Sequence, residues 1–147
     1  TEHRDDPSII GGTLFDEFNK NTEKVSHVIN PIRLASAKAS RLYKDESLDF
    51  VFIDAAHDLV NVLKDIISWI PKVKKGGVIA GHDYGGAFFG VNGAVDNYFA
   101  QIPEANVEST SDCCWWLVNK NFQIPEHLDF QYVWNNIGVI NKFRGVI

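Results

Sequence analysis

Between Leu48 and Ile102 the chain twice sets a short, unbroken apolar run ahead of a longer stretch whose apolar residues recur every three or four positions. Phe50-Val51-Phe52-Ile53 stops at Asp54, and Leu59, Val62, Leu63, Ile66, Ile67 and Ile70 follow at helical spacing up to Pro71. A run apolar at every position predicts a strand over 49–54 with both faces covered, as in a parallel sheet between helices. The spaced set predicts a strongly amphipathic helix from Leu59 to Ile70. After three lysines and Gly76-Gly77, "VIAG" predicts a second buried strand over 78–81, and Val91, Ala94, Val95, Tyr98, Phe99 and Ile102 outline a further helix closed by Pro103. The order strand, helix, strand, helix calls for right-handed crossovers and a parallel sheet, the α/β class.

The flanks are less regular. Pro7 and Ser8 suit a helix start, and Leu14, Phe15 and Phe18 share one face, so a helix is predicted over 8–20 although Gly11 and Gly12 weaken it. "KVSHVINPIRL" has β character interrupted by Pro31, which limits residues 27–33 to a short or edge strand. "ASAKASRLY", residues 35–43, reads as a modest helix. Beyond 104, "NVEST" and "CCWWLVN" are two short strands so close together that they predict an antiparallel hairpin. Residues 121–147 carry Phe122, Phe130, Tyr132, Trp134 and Phe143 without a clean period, an aromatic extension expected to pack on the domain or on a partner.

Composition narrows the function classes. With 147 residues and an apolar fraction of 45%, the chain can build one ordinary core. Its 14 basic and 19 acidic residues leave a net charge of −5, which argues against nucleic acid as a partner because phosphate binding needs a concentrated positive field. Cys113 and Cys114 are adjacent and offer neither a metal-ligand spacing nor a disulfide framework, so a reducing compartment is expected. No apolar stretch reaches the roughly 20 residues of a membrane span, and no leader pattern opens the chain, so a cytoplasmic location without membrane attachment is expected. The sequence contains no methionine, even at position 1, which suggests that it starts inside a longer reading frame or has been processed.

The two strand ends carry the candidate chemistry. "LDFVFIDAAHDL" places Asp54 and His57 after the first strand, and "GGVIAGHDY" places His82 and Asp83 after the second. Ligands of open parallel sheets bind outside the carboxyl ends of the strands. Either Asp54 or Asp58 also suits a helix cap, where an acid is favoured by about 0.3–1 kcal/mol. A cap needs no histidine, however, and both loops have one. Two carboxylates with a histidine and waters would suit Mg²⁺ or Mn²⁺. A histidine there could instead, or in addition, take a proton from a hydroxyl. Neither a G-x-S-x-G elbow nor an activated cysteine context is present.

The segment "SLDFVFIDAAHDLVNVLKDIISWIPKVKKGGVIAGHDYGG" with "GVNGAVDNYF" resembles the C-terminal half of class I S-adenosylmethionine-dependent methyltransferases. The resemblance covers roughly residues 25–120. It implies a Rossmann-like sheet of strand order 3-2-1-4-5-7-6 with an antiparallel last strand, in which 27–33 stands for strand three, 49–54 for four, 77–81 for five and 104–119 for the final hairpin. The sheet would be truncated at its N-terminus, giving a partial domain over 1–120 and an extension over 121–147. Relatives of the catechol type bind a divalent ion at the ends of strands four and five, which implies Asp54, His82 and Asp83 as metal ligands. His57 stands where those enzymes carry their general base, a lysine. No "E/D-x-G-x-G-x-G" turn for the methionine end of S-adenosylmethionine occurs, which leaves the adenine side, with Ser36, Asp54 and Ala55 as the implied contacts. The implied activity is O-methyl transfer to a small hydroxylated molecule. The alternatives are an inactive interaction module, favoured by the missing glycine turn, and a metal-dependent hydroxylase or hydrolase on a similar sheet. Without strands one and two the edge of strand four would lie open, so a homo-oligomer or a rearranged sheet is expected.

Overall fold

Gly11 and Gly12 break what the periodicity predicts as one helix. In the computed structural model, which describes residues 5–120 and 122, α1 spans Pro7–Ile10 and α2 spans Leu14–Thr22, with Gly12 at φ 71 between them. Asp6 caps α1, its carboxylate accepting from the Ser8 N–H at 2.8 Å. A 3-10 turn at Glu23–Val28 follows, and residues 29–33 form no strand. The expected strand over 27–33 is thus corrected. In the family's order it pairs only with strand two, no described segment plays that part, and Pro31 has no N–H to give a ladder. These elements belong to a compact unit, Thr1–Arg33, in which the Arg33 guanidinium lies 4.6 Å from the centre of the Phe15 ring.

The second unit, Leu34–Ile147, contains the sheet. Its first helix, α3 at Ser36–Ala39, tightens into a 3-10 turn at Ser40–Leu42. Strand β1 (Leu48–Ile53) leads to α4 (Leu59–Trp69), strand β2 (Val73–Gly81) to α5 (Phe89–Phe99), and short strands β3 (Glu108–Ser109) and β4 (Trp115–Val118) close the described order. The sheet runs β1-β2-β4-β3, with β1 and β2 parallel and the other pairs antiparallel. That sequence of neighbours is the 4-5-7-6 portion of the order expected above. Strand β2 starts earlier than predicted. Its register steps from Leu48 opposite Val73 to Phe50 opposite Val78, and Gly76 at φ 81 lies within the intervening residues.

Among the described residues of this unit, α4 and α5 share one core with the sheet. Val51, Ile53, Ile79, Trp115 and Leu117 share one core with Ile66 of α4 and Ala94 and Val95 of α5, the last three and Ile79 being fully buried. Full burial of an aliphatic side chain of this kind stabilises by about 1.5–3 kcal/mol. The alternate positions Phe50 and Phe52 are 58% and 47% exposed, so among the described residues β1 is not covered on both faces as its composition suggested. Among the described residues β1 pairs with β2 alone and forms an edge of the sheet. Phe122 packs against the core, whereas the rest of the aromatic extension lies outside the described residues. Among those residues no helix is long and apolar enough to cross a membrane.

Candidate functional site at the strand tips

Asp58, not Asp54, caps α4. Its carboxylate accepts from the Asn61 N–H at 3.1 Å and from the Asn61 side-chain amide at 2.7 Å, and these bonds, the side-chain one foremost, hold its carboxyl below the usual range. Asp54 therefore needs another explanation. It follows Ile53, which pairs with Gly81 across the parallel ladder, and the His82 N–H donates to the Ile53 carbonyl at 3.1 Å. The two strand tips are thereby sewn side by side.

Asp83 takes a left-handed conformation, φ 64, which an L-residue other than glycine adopts at a cost of roughly 1–2 kcal/mol. In this conformation one carboxylate oxygen lies 2.8 Å from His57 Nε2 and the other 3.1 Å from His82 Nδ1. An ionised carboxylate only accepts, so in this contact the proton lies on His57 Nε2. Asp54, His57 and Asp83 each bring a ligand atom within 4.8 Å of the others. Of the residues implied as metal ligands, Asp54 and Asp83 fall in this set of three with His57, and His82 bonds to Asp83 beside it. They surround a hollow of about 10 Å³, also lined by Val62, Val91 and Trp115, which is room for roughly one ion or water. The Phe88 ring lies 4.1 Å from the His57 ring. His57 and Asp83 are 19% and 16% exposed, sheltered yet reachable.

A larger cleft of about 370 Å³ opens on the other side of Asp54 and collects Ser36, Asp54 and Ala55. Consecutive residues from Phe50 to Ala55 line it, so it follows the edge of β1 rather than one face of the sheet. At its polar end the Trp69 indole donates to the Ser36 hydroxyl at 2.8 Å, and Ser36 bonds in turn to Asp65. Asp65 is 6% exposed, and burial raises its carboxyl above the usual range despite that bond.

A family model described as a methyltransferase domain matches residues 4–84, more than half of the chain and both strand tips. The chain belongs to this methyltransferase family. The family is the class I kind, which generally uses S-adenosylmethionine, and the α/β sheet with its antiparallel C-terminal strands has the corresponding Rossmann-like form. No curated protein and no solved structure matches the chain. Several residues of this methyltransferase's site were not singled out from the sequence. Phe88 and Trp115 lie beyond the matched stretch, and Asp65 lies inside α4. For Asp65 the signal was polarity in the wrong place, since it interrupts an otherwise apolar helix face.

Proposed function

We propose that this methyltransferase domain serves S-adenosylmethionine-dependent O-methylation of a small hydroxylated molecule, with His57 as the general base. The observation that supports this reading most is the 2.8 Å contact from His57 Nε2 to Asp83, with Asp54 beside them in the same hollow. His57 Nδ1 accepts the hydroxyl proton as the substrate oxygen becomes the nucleophile. Asp83 holds the ring in the tautomer that makes Nδ1 the acceptor and lies against the positive charge that results, an arrangement worth about 10²–10⁴ in rate for a well-placed base.

S-adenosylmethionine, when bound, supplies an electrophilic methyl group. The Ser36 hydroxyl, the Asp54 carboxylate and Ala55 line the cleft where its adenosine end would be held, and these donors and acceptors fit a nucleoside. The methionine end has no glycine-rich turn among the 147 residues. The Asp54 and Asp83 carboxylates, completed by waters, would suit Mg²⁺ or Mn²⁺, which would make a hydroxyl beside it more acidic, while the His57 lone pair is kept for the proton.

Titration with S-adenosylhomocysteine, together with methyl transfer from labelled S-adenosylmethionine to a panel of catechols, phenols and sugars, tests the reading. Both should be run on this chain and on a form preceded by the family's glycine-rich strands. Cofactor binding and transfer by the longer form are expected; a longer form that binds cofactor yet methylates no hydroxyl contradicts O-methylation. The absence of the glycine turn favours a second reading, an interaction module that keeps the fold, and failure of the longer form to bind cofactor would support it.

A further inference from the structure

Helix α5 touches both halves of the strand-tip site. Phe88, immediately before it, lies against the His57 ring, and Gly90 approaches the His57 backbone so closely that a Cβ there would sit 2.2 Å from the carbonyl oxygen. One turn further on, Asn92 is 1% exposed. Its Oδ1 accepts from the Gly85 N–H at 2.6 Å, and its Nδ2 donates to the Gly86 carbonyl at 3.3 Å. Asp96, four residues later on the same face, accepts from the Tyr84 hydroxyl at 2.6 Å. The loop so gripped, 84–86, begins one residue after Asp83, the left-handed residue whose carboxylate meets His57.

A left-handed aspartate persists only where its surroundings impose it. On its N-terminal side the bond from His82 N–H to Ile53 fixes the strand tip; on its C-terminal side Tyr84 N–H donates to the Cys113 carbonyl at 2.9 Å, and Asn92 holds the Gly85 N–H and the Gly86 carbonyl. A buried carboxamide in the middle of an apolar helix face is costly unless both its ends are bonded, and both bonds here go to this loop.

We propose that Asn92 is a positioning residue for the His57–Asp83 pair: by clamping Gly85 and Gly86 it holds Asp83 in the backbone conformation from which its carboxylate orients the His57 ring. The proposal rests on the reading of His57 as the base. Asn92 touches neither the imidazole nor the hollow, and its effect runs entirely through the loop. An Asn92 that merely stabilised the loop would leave the His57–Asp83 bond unchanged in any folded variant.

The test uses ¹⁵N-histidine NMR on the 147-residue chain, where a ring N–H held by a carboxylate gives an exchange-protected proton signal. The wild type should show it for His57 Nε2, assigned by its loss in His57→Gln. Asn92→Ala should abolish or broaden that signal. Val95→Ala, which removes core packing from the same helix without touching the loop, should keep it at a comparable loss of thermal stability. If Asn92→Ala does not fold, Asn92→Asp keeps the acceptor for Gly85 but loses the donor to Gly86, and broadening of the signal is again expected. In an active longer form, Asn92→Ala should lower kcat by up to about 10²-fold at nearly unchanged KM, the scale of an ångström-sized misplacement. An intact His57 signal in folded Asn92→Ala, or in its stand-in Asn92→Asp, overturns the proposal and leaves the base reading standing. An active longer form whose turnover ignores His57→Gln overturns the base reading, and the proposal with it.

Discussion

Replacing Gly90 by alanine sets two effects of opposite sign against each other. Alanine is favoured over glycine inside a helix by about 1 kcal/mol, so on an isolated α5 the change would stabilise. In the folded domain the new Cβ would lie 2.2 Å from the His57 carbonyl oxygen, 2.6 Å from the Leu59 nitrogen and 2.9 Å from the Asp58 carbonyl carbon, where ordinary contact begins at 3.4 Å. The shortfall against His57 is about 1.2 Å, and all three neighbours are backbone atoms that no side-chain rotation can move aside. Overpacking of this kind costs about 1–3 kcal/mol, and rigid neighbours place it at the upper end. A net loss of roughly 1–2 kcal/mol should lower Tm by about 3–8 °C for a chain of this size, measured by far-ultraviolet circular dichroism. Relaxation of the loop would also displace His57 and Asp58 together, so the His57 ring proton signal should shift. A Gly90→Ala protein with a Tm equal to or above the wild type would refute the close seating of α5 on the His57 loop, and with it the claim that one helix aligns both tips.

Three further outcomes are expected. Asp58→Ala removes the α4 cap and should cost about 1 kcal/mol in denaturant titrations at neutral pH. Since bonding to Asn61 lowers the folded-state carboxyl, that contribution is present above the ordinary aspartate range and is lost as pH falls through the folded value, so the variant and the wild type should converge in acid. Asp65 has the opposite sign: burial raises its carboxyl in the folded state, so the folded form holds its proton longer and stability declines as pH rises from the ordinary range through the raised value. Asp65→Asn should therefore stabilise at neutral pH and do little in strong acid; a loss of stability at pH 7 would show that the ionised carboxylate is well satisfied by Ser36. The β1 edge, unpaired among the described residues and flanked by exposed Phe50 and Phe52, should make the 147-residue chain self-associate, with antiparallel pairing about Val51 setting Phe50 of one copy opposite Phe52 of the other. Light scattering should find a mass that rises with concentration and falls toward the monomer in Phe52→Lys; a monomer at all concentrations would contradict it.

The elements legible in the sequence are those whose pattern and partners both lie inside it. Strand β1, helix α4, strand β2 and helix α5 follow each other in the chain and pack on each other, so periodicity alone locates them within a few residues. Residues 27–33 show the limit, because β-rich composition makes a strand only where a neighbour supplies the ladder. Phe50 and Phe52 show another: an unbroken apolar run tells how apolar a strand is, not whether a layer covers its second face. At the site, the four chemistry-bearing residues were visible as two repeated endings, and their convergence follows from the parallel pairing of β1 with β2. Which histidine faces Asp54 was not visible. That depends on the left-handed turn at Asp83, which swings its carboxylate toward His57 and leaves His82 on the rim, and no residue-type pattern announces a left-handed aspartate. Asn92 was hidden for a related reason, since its partners are backbone groups that carry no sequence signal.

The role proposed for His57, accepting the hydroxyl proton, is tested most directly by turnover in a form that carries the glycine-rich strands, using labelled S-adenosylmethionine and the best acceptor from the panel. His57→Ala should bind the cofactor as the wild type does and turn over about 10²–10⁴ times more slowly. An unchanged rate in a folded, cofactor-binding His57→Ala protein would contradict it.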